Sequence, residues 1–131
     1  MSTEVCPCGA LSDKGKPLAL SACCGPVIAN PYNAADAEAL MRSRYTAYAT
    51  GAEAHLINTW HPTTRPSDCV LDPDTRWLGL DVKRHLLIDD VSATVHFVAR
   101  YREGGRGHRL EEVSQFVREG GQWFYVSGSQ P

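Results

Sequence analysis

Apolar side chains recur along this chain with two different periods, and the change from one to the other divides it. Between Ala37 and Tyr48, the positions Ala37, Leu40, Met41, Arg44, Tyr45 and Tyr48 follow one another at spacings of three and four, so they share one face of a predicted helix. Such a face packs on something apolar. Asn33 is read as the N-cap, Asp36 and Glu38 lie near the positive end of the helix dipole, and Gly51 closes the segment. A shorter helix is predicted from Ala52 to Trp60, with Leu56, Ile57 and Trp60 inward, stopping before Pro62 because the residue ahead of a proline disfavours helical geometry. Thr63 to Thr75, holding Pro66 and Pro73, reads as loop with room for one helical turn.

From Arg76 onward the period moves toward two. The clearest run sets Ala93, Val95, Phe97, Ala99 and Tyr101 against Thr94, His96, Arg100 and Arg102, the pattern of a half-buried strand. Turn signals at Asp89-Asp90, Gly104-Gly105-Arg106-Gly107 and Gly120-Gly121 divide the region into four strands, about 77–88, 92–103, 108–118 and 122–128. Consecutive hairpins make an antiparallel meander. Helices first and strands afterwards place the chain in the α+β class, with helices on one face of a curved antiparallel sheet.

At 131 residues the chain supports one core, and its charge excludes some partners. Thirteen basic residues against fifteen acidic ones give a net charge of −2, no surplus for neutralising phosphates, so no DNA partner is expected. No segment approaches the roughly 20 apolar residues of a membrane span. Met1 to Val5 carries no basic cluster, and Leu20-Ser21-Ala22-Cys23, which looks like a lipoprotein cleavage site, is preceded by only Pro17 to Leu20 as an apolar stretch. An export signal needs about 7–15. The expected location is therefore the cytoplasm, with no membrane partner, where thiols stay reduced and clustered cysteines more often hold metal than pair as disulfides.

Five cysteines are present, and four of them form two tight pairs, Cys6-Pro7-Cys8 and Cys23-Cys24, fourteen residues apart; Cys69 stands alone. Two short knuckles supply four soft ligands for tetrahedral zinc when the loop between folds them together. Pro7 stiffens the first pair, and Gly9 and Gly25 follow each pair where the backbone must turn. The competing readings are unconnected reduced thiols, disulfides, which adjacent cysteines form only with strain, and iron–sulfur ligation, whose usual spacing is absent. Four thiolates leave no coordination position for water, so the expected zinc site is structural rather than catalytic.

Cys6-Pro7-Cys8-Gly9 with Ser21-Ala22-Cys23-Cys24-Gly25-Pro26 resembles the SEC-C motif, known from the zinc-binding tail of the preprotein translocase ATPase. Downstream, Met41-Arg42-Ser43-Arg44-Tyr45, Thr59-Trp60-His61-Pro62, Arg76-Trp77-Leu78-Gly79-Leu80, Phe97-Val98-Ala99-Arg100-Tyr101 and Glu112-Val113-Ser114-Gln115-Phe116-Val117 resemble the YchJ-like proteins, over nearly the whole chain. The loop between the cysteine pairs is longer than the motif's usual one and lacks its Ser-Gly after the first pair. The resemblance implies a SEC-C module over residues 1–30 and, over 31–131, the cone-shaped fold of nuclear transport factor 2 and cystatin-like relatives. Such cones often enclose a pocket between helix and sheet.

Arg42, Arg44, Tyr45, Tyr48, Trp60, His61, Trp77 and Glu112 are the candidate pocket residues, a polar-aromatic set in which Arg44 and Glu112 are expected to meet if the sheet curls over the long helix. Each also has a plainer role. The aromatics serve as core, the Arg–Glu pair satisfies itself, and His61 caps the short helix. Three functional classes stay open. The leading one is a non-enzymatic adaptor or ligand- or peptide-binding protein, with a protein partner at the zinc module and a small molecule in the cone; SEC-C tails of the translocase ATPase, by resemblance, contact a chaperone and the ribosome. The second is a small-molecule enzyme using Glu112 as base with Tyr45 or Tyr48. The third is a thiol-based sensor that releases zinc on oxidation. Because every periodic segment begins after Pro31, a chain lacking residues 1–30 is expected to fold.

Overall fold

The computed structural model describes residues 4–131; Met1–Thr3, part of the stretch read as lacking an export signal, lie outside the described residues. Three helices, α1 (Cys24–Ala29), α2 (Ala37–Thr50) and α3 (Glu53–Asn58), precede four strands, β1 (Arg76–Asp89), β2 (Ser92–Glu103), β3 (Arg106–Glu119) and β4 (Gln122–Ser129). The strands form one antiparallel sheet in the order β1-β2-β3-β4, the expected meander. Its last two hairpins turn on Gly104-Gly105 and Gly120-Gly121, all with φ between 58° and 82°, the left-handed conformation that a two-residue turn needs to match the twist of its strands. Register shifts in β1 after Trp77, Val82 and Leu87, and in β4 at Val126 opposite Gln115 and Phe116, mark bulges. Each bulge bends its strand, and the sheet curves around α2.

Alternation along β2 sorts the side chains as expected. Ala93, Val95, Phe97 and Ala99 are buried in the cluster that includes Leu40, Met41 and Tyr45 of α2, with Phe116 of β3 and Trp123 of β4. On the opposite face polar side chains pair across strands, His96 with Glu111 at 2.7 Å and Arg100 with Asp81 at 3.1 Å, and Arg109 pairs with Glu111 along β3 at 3.0 Å. Val98 lies at 1 % exposure outside that cluster, in register with Asp81 and Glu111, so this second face also excludes water from an apolar side chain.

Two helix boundaries differ from the sequence reading. α2 is capped by Asp36, not Asn33: Asp36 is extended, and its Oδ1 accepts from the Ala39 N–H at 2.8 Å. Asn33 ends a separate 3-10 turn, Pro31–Asn33, and donates its side-chain N–H to Pro26 O at 2.9 Å. α3 spans Glu53–Asn58 rather than Ala52–Trp60. The chain leaves the helix because Thr59 O and His61 N–H are taken by the Tyr125 backbone on β4, at 2.8 and 2.7 Å. Tertiary pairing thus ends the helix two residues early. Leu56 is fully buried as expected, Ile57 only partly so, and no helix forms between Thr63 and Thr75.

Residues 5–30 do not stand apart from this body. Cys6, Cys8, Cys24 and Val27 belong to the same apolar cluster as Leu40 and Met41. α2 is consequently buried on more than its predicted face, with Ser43, Thr46 and Ala47 also enclosed.

Candidate functional site

The long loop between the cysteine pairs folds as a small hairpin. Cys6 N–H donates to Leu18 O at 2.9 Å, Leu18 N–H to Ala10 O at 3.2 Å, and Ser12 N–H to Lys16 O at 2.8 Å, so the extra residues project outward and the knuckles stay together. Loop length costs closure entropy only logarithmically. Cys23 follows the 3-10 turn Leu20–Ala22, and Cys24 opens α1. Gly25 is needed there, because a Cβ would sit 2.8 Å from Leu20 O.

All four ligand atoms lie within 4.8 Å of one another. Sγ separations are 3.6 Å for Cys6–Cys8, 3.5 Å for Cys8–Cys23 and 4.0 Å for Cys23–Cys24. A tetrahedron with metal–sulfur bonds of about 2.3 Å has edges of about 3.8 Å, so the cluster has the dimensions of a four-thiolate metal centre. It does not have those of disulfides, whose sulfurs bond at about 2.05 Å. Crowding splits the thiols electrostatically. Hydrogen bonds from Cys24 and Cys8 hold the Cys6 thiol far below its usual range; burial and the charge shared with Cys8 and Cys6 push Cys23 up to about 12. Cys24 is raised as well, first by its contact with Cys6. Deprotonated together, four thiolates at this spacing would repel one another, and the cluster could hold a metal ion that balances them.

Arg42, expected in the pocket, is instead the bracket of this centre. Its Nη1 donates to Cys8 O at 3.0 Å and its Nε to Glu38 Oε2 at 2.9 Å. Thr46 Oγ1 lies 3.6 Å from Cys6 Sγ. Two side chains of α2 thereby join the first knuckle to the long helix.

The second feature is a cavity of about 260 Å³ between α2 and the concave face of the sheet. Arg44, Tyr45, Tyr48, Trp60, Trp77 and Glu112 line it, so six of the eight expected residues come together. Sequence reasoning missed Met41, Phe97, Ala99, Leu110, Ser114, Phe116 and Tyr125. The signal for Phe97 and Ala99 was present, since both sit on the inward face of β2, but nothing distinguished a cavity wall from a filled core. Tyr45 meets Trp77 edge-on at 5.7 Å between ring centroids, and Trp60 meets Tyr125 edge-on at 5.2 Å. These ring contacts stiffen the wall.

Arg44 and Glu112 share this cavity without forming an ion pair, contrary to the expected meeting. Among the described residues Arg44, 6 % exposed, bonds through Nη1 alone, donating to Leu56 O and to Thr59 Oγ1, both at 2.8 Å. Its guanidinium carbon lies 4.5 Å from the Tyr125 ring centroid and 5.0 Å from that of Trp60. Glu112 takes a hydrogen bond from Ser114 Oγ at 2.8 Å. Its carboxylate lies against Gly128, where any Cβ would overlap it. α3 and the turn after it thus claim the Arg44 head before Glu112 reaches it.

Neighbouring tyrosines register both charges. Burial, then Glu112, push the Tyr125 hydroxyl up to about 12, while Arg44 pulls the other way. Tyr48 is raised by burial, again against Arg44. Both hydroxyls keep their protons at neutral pH. His61 lies outside the cavity: its Nε2 is 2.9 Å from Glu119 Oε2 and its Nδ1 2.7 Å from Thr63 Oγ1. A buried histidine that the sequence reading overlooked, His55, contacts Ser43 Oγ through Nε2 at 2.8 Å. Burial, with help from Arg44, lowers its pKa to about 4, so it is neutral in the core.

Comparison with known proteins agrees with this architecture. The family described as "YchJ, middle NTF2-like domain" matches residues 36–128. Curated relatives include UPF0225 proteins from Polaromonas naphthalenivorans, 48 % identical over 98 % of this chain and 98 % of the relative, and from Ralstonia nicotianae, 50 % identical over 96 % and 91 %. Among solved structures, a SEC-C motif containing protein from Rhodopseudomonas palustris superposes with a TM-score of 0.80 at 33 % identity, covering 97 % of this chain and 98 % of that one. Another, from Psychrobacter arcticus, gives 0.77 at 28 % identity over 96 % and 82 %.

Proposed function

From the premise that this chain belongs to the YchJ-like family, we propose that it is a non-enzymatic binding protein in which a structural zinc ion stiffens the amino-terminal knuckles and the cavity takes a small organic ligand. The cavity carries this reading: about 260 Å³ is left open between α2 and the sheet, walled by aromatic side chains and holding one cation and one carboxylate that do not neutralise each other. Small-molecule sites have this character, mostly apolar with a few placed polar groups. Zinc suits the centre because four sulfurs at tetrahedral spacing match its preference, and Cys6, Cys8, Cys23 and Cys24 would all be occupied in holding it. That chemistry suits a reducing compartment, the cytoplasm. No described helix is long and apolar enough to cross a membrane.

Binding is favoured over catalysis by where the histidines lie, although Glu112, Tyr45 and Tyr48, the groups an acid–base enzyme would use, do line the cavity. His61 is outside the cavity, and the Ser43–His55 pair is sealed in the core, Ser43 at 0 % exposure. A protein partner at the knuckles is favoured by Val5 and Leu11, apolar side chains on the hairpin that are 55 % and 59 % exposed. Oxidation sensing would begin at Cys23, the only ligand of the four not fully buried.

Elemental analysis of reduced, untagged protein should return one zinc per chain. For the cavity, small molecules released by denaturing protein from its native cells should include one that Ala99→Leu, which fills the space, no longer carries. Identical extracts from both proteins would remove the cavity from consideration.

A further inference from the structure

Arg44 is a buried cation with donors to spare. Of its guanidinium nitrogens only Nη1 has hydrogen-bond partners among the described residues, a carbonyl and a hydroxyl, neither of them charged. Nε and Nη2 carry three further N–H groups. Ion pairs recorded among the described residues do not include Arg44, although Glu112 lines the same cavity. The head is fixed in place: Nη1 is tied to α3 and to Thr59, and Trp60 and Tyr125 lie against the guanidinium. A buried charge without an ion-pair partner is costly, and a planar anion presented to the unused edge offsets that cost. Trp60, on the same wall, has an indole N–H buried without a partner among the described residues.

We infer that the cavity is a receptor for a small monocarboxylic acid with an apolar or aromatic body, its carboxylate held by Arg44 and its body lying among Tyr48, Trp60, Trp77 and Phe97. This rests on the reading of the cavity as a ligand site and names the class of ligand. A carboxylate matches the guanidinium edge as a bidentate partner, whereas a neutral amide offers one acceptor and no charge. The aromatic walls accept a flat apolar body. Glu112 sets the limit of one: a second acidic group on the ligand enters a space already lined by a carboxylate, and like charges in low dielectric repel.

The test uses benzoate, benzamide and phthalate as probes, followed by NMR chemical shifts and calorimetry on the full zinc-loaded chain. Benzoate should shift resonances of Tyr48, Trp60 and Tyr125 and bind at least about tenfold more tightly than benzamide, on the worth of a charge-assisted bond. Phthalate should bind more weakly than benzoate, and Glu112→Gln should narrow that difference. Arg44→Lys keeps the charge but not the fork, and should weaken benzoate while sparing benzamide. Arg44→Met should abolish the preference for the acid; if that variant fails to fold, the Lys variant and the acid–amide pair on the unaltered protein still decide. No cavity shift with excess benzoate, equal affinity for benzamide, or benzoate affinity unchanged in Arg44→Lys would each overturn the inference. A neutral molecule in the native extract, lost with Ala99→Leu, would overturn it while leaving the ligand cavity standing.

Discussion

The four sulfurs of the amino-terminal knuckles converge within 4.8 Å of one another, whereas Arg44 and Glu112 share a cavity and do not touch. The first region brings its reactive groups together from a stretch of 19 residues, Cys6 to Cys24, with a hairpin to close it. The second draws its walls from α2, the link after α3 and all four strands, and keeps its charges apart by giving each a different neutral partner. Like atoms crowded together could be balanced by a cation, and opposite charges held apart could leave room for a ligand. The same helix serves both, since Arg42 and Thr46 reach the cysteine module while Arg44, Tyr45 and Tyr48 face the cavity.

The largest expected effect breaks the module and asks whether the cavity survives. Removing residues 1–30 uncovers Leu40, Met41 and Ala37, which share a cluster with Cys8, Cys24 and Val27. We expect a loss of stability on the order of 3–5 kcal/mol, the scale of a large core deletion, in urea unfolding of the truncated chain. An unchanged midpoint would restore the independence of the two parts that periodicity alone suggested. Cys8→Ser should act in the same direction and abolish stoichiometric metal.

Acid should loosen the cavity side through His55. Its folded pKa, about 4, lies below the ordinary histidine value of 6.5, so the unfolded chain binds the proton more readily across that interval. Stability is therefore fully present above about pH 6.5 and is lost as pH falls toward 4, by up to about 3 kcal/mol. Urea midpoints measured from pH 7 to 4 check this, and His55→Gln should flatten the profile. A profile already flat in the unaltered protein would mean that His55 charges in place.

Gly128→Ala is a narrower probe, because the new methyl overlaps the Glu112 carboxylate. The acid must move or the strand must shift, at a cost of about 1–3 kcal/mol. Near-neutral stability with altered Tyr125 resonances would show that the carboxylate has room to swing. Smallest of all, Asp36→Ala removes the cap of the helix that both regions share, and should cost about 1 kcal/mol without altering either metal content or ligand preference.

Much of the frame was legible in the sequence. Strand limits, turn glycines and the inward face of β2 follow from a period of two and from the conformations glycine alone accepts, both local properties. Helix ends were less so. Asn33 and Asp36 are equally good caps as residues, and Thr59 and Trp60 are acceptable in a helix; which one the chain uses depended on Pro31 starting a separate turn and on Tyr125 claiming the backbone after Asn58. His55 escaped notice because a histidine in a short helix gives no sign of being buried.

By itself the sequence determined the helices-then-meander order, the cysteine cluster and most of the polar-aromatic set, because repeat period, ligand type and short spacing are written in neighbouring residues. Only the tertiary structure decided that Arg42 belongs to the cysteines, that His61 faces away, and that Arg44 and Glu112 stay unpaired. Those outcomes turn on which partner a long side chain reaches first across elements far apart in the chain, a competition of distances that no local pattern records.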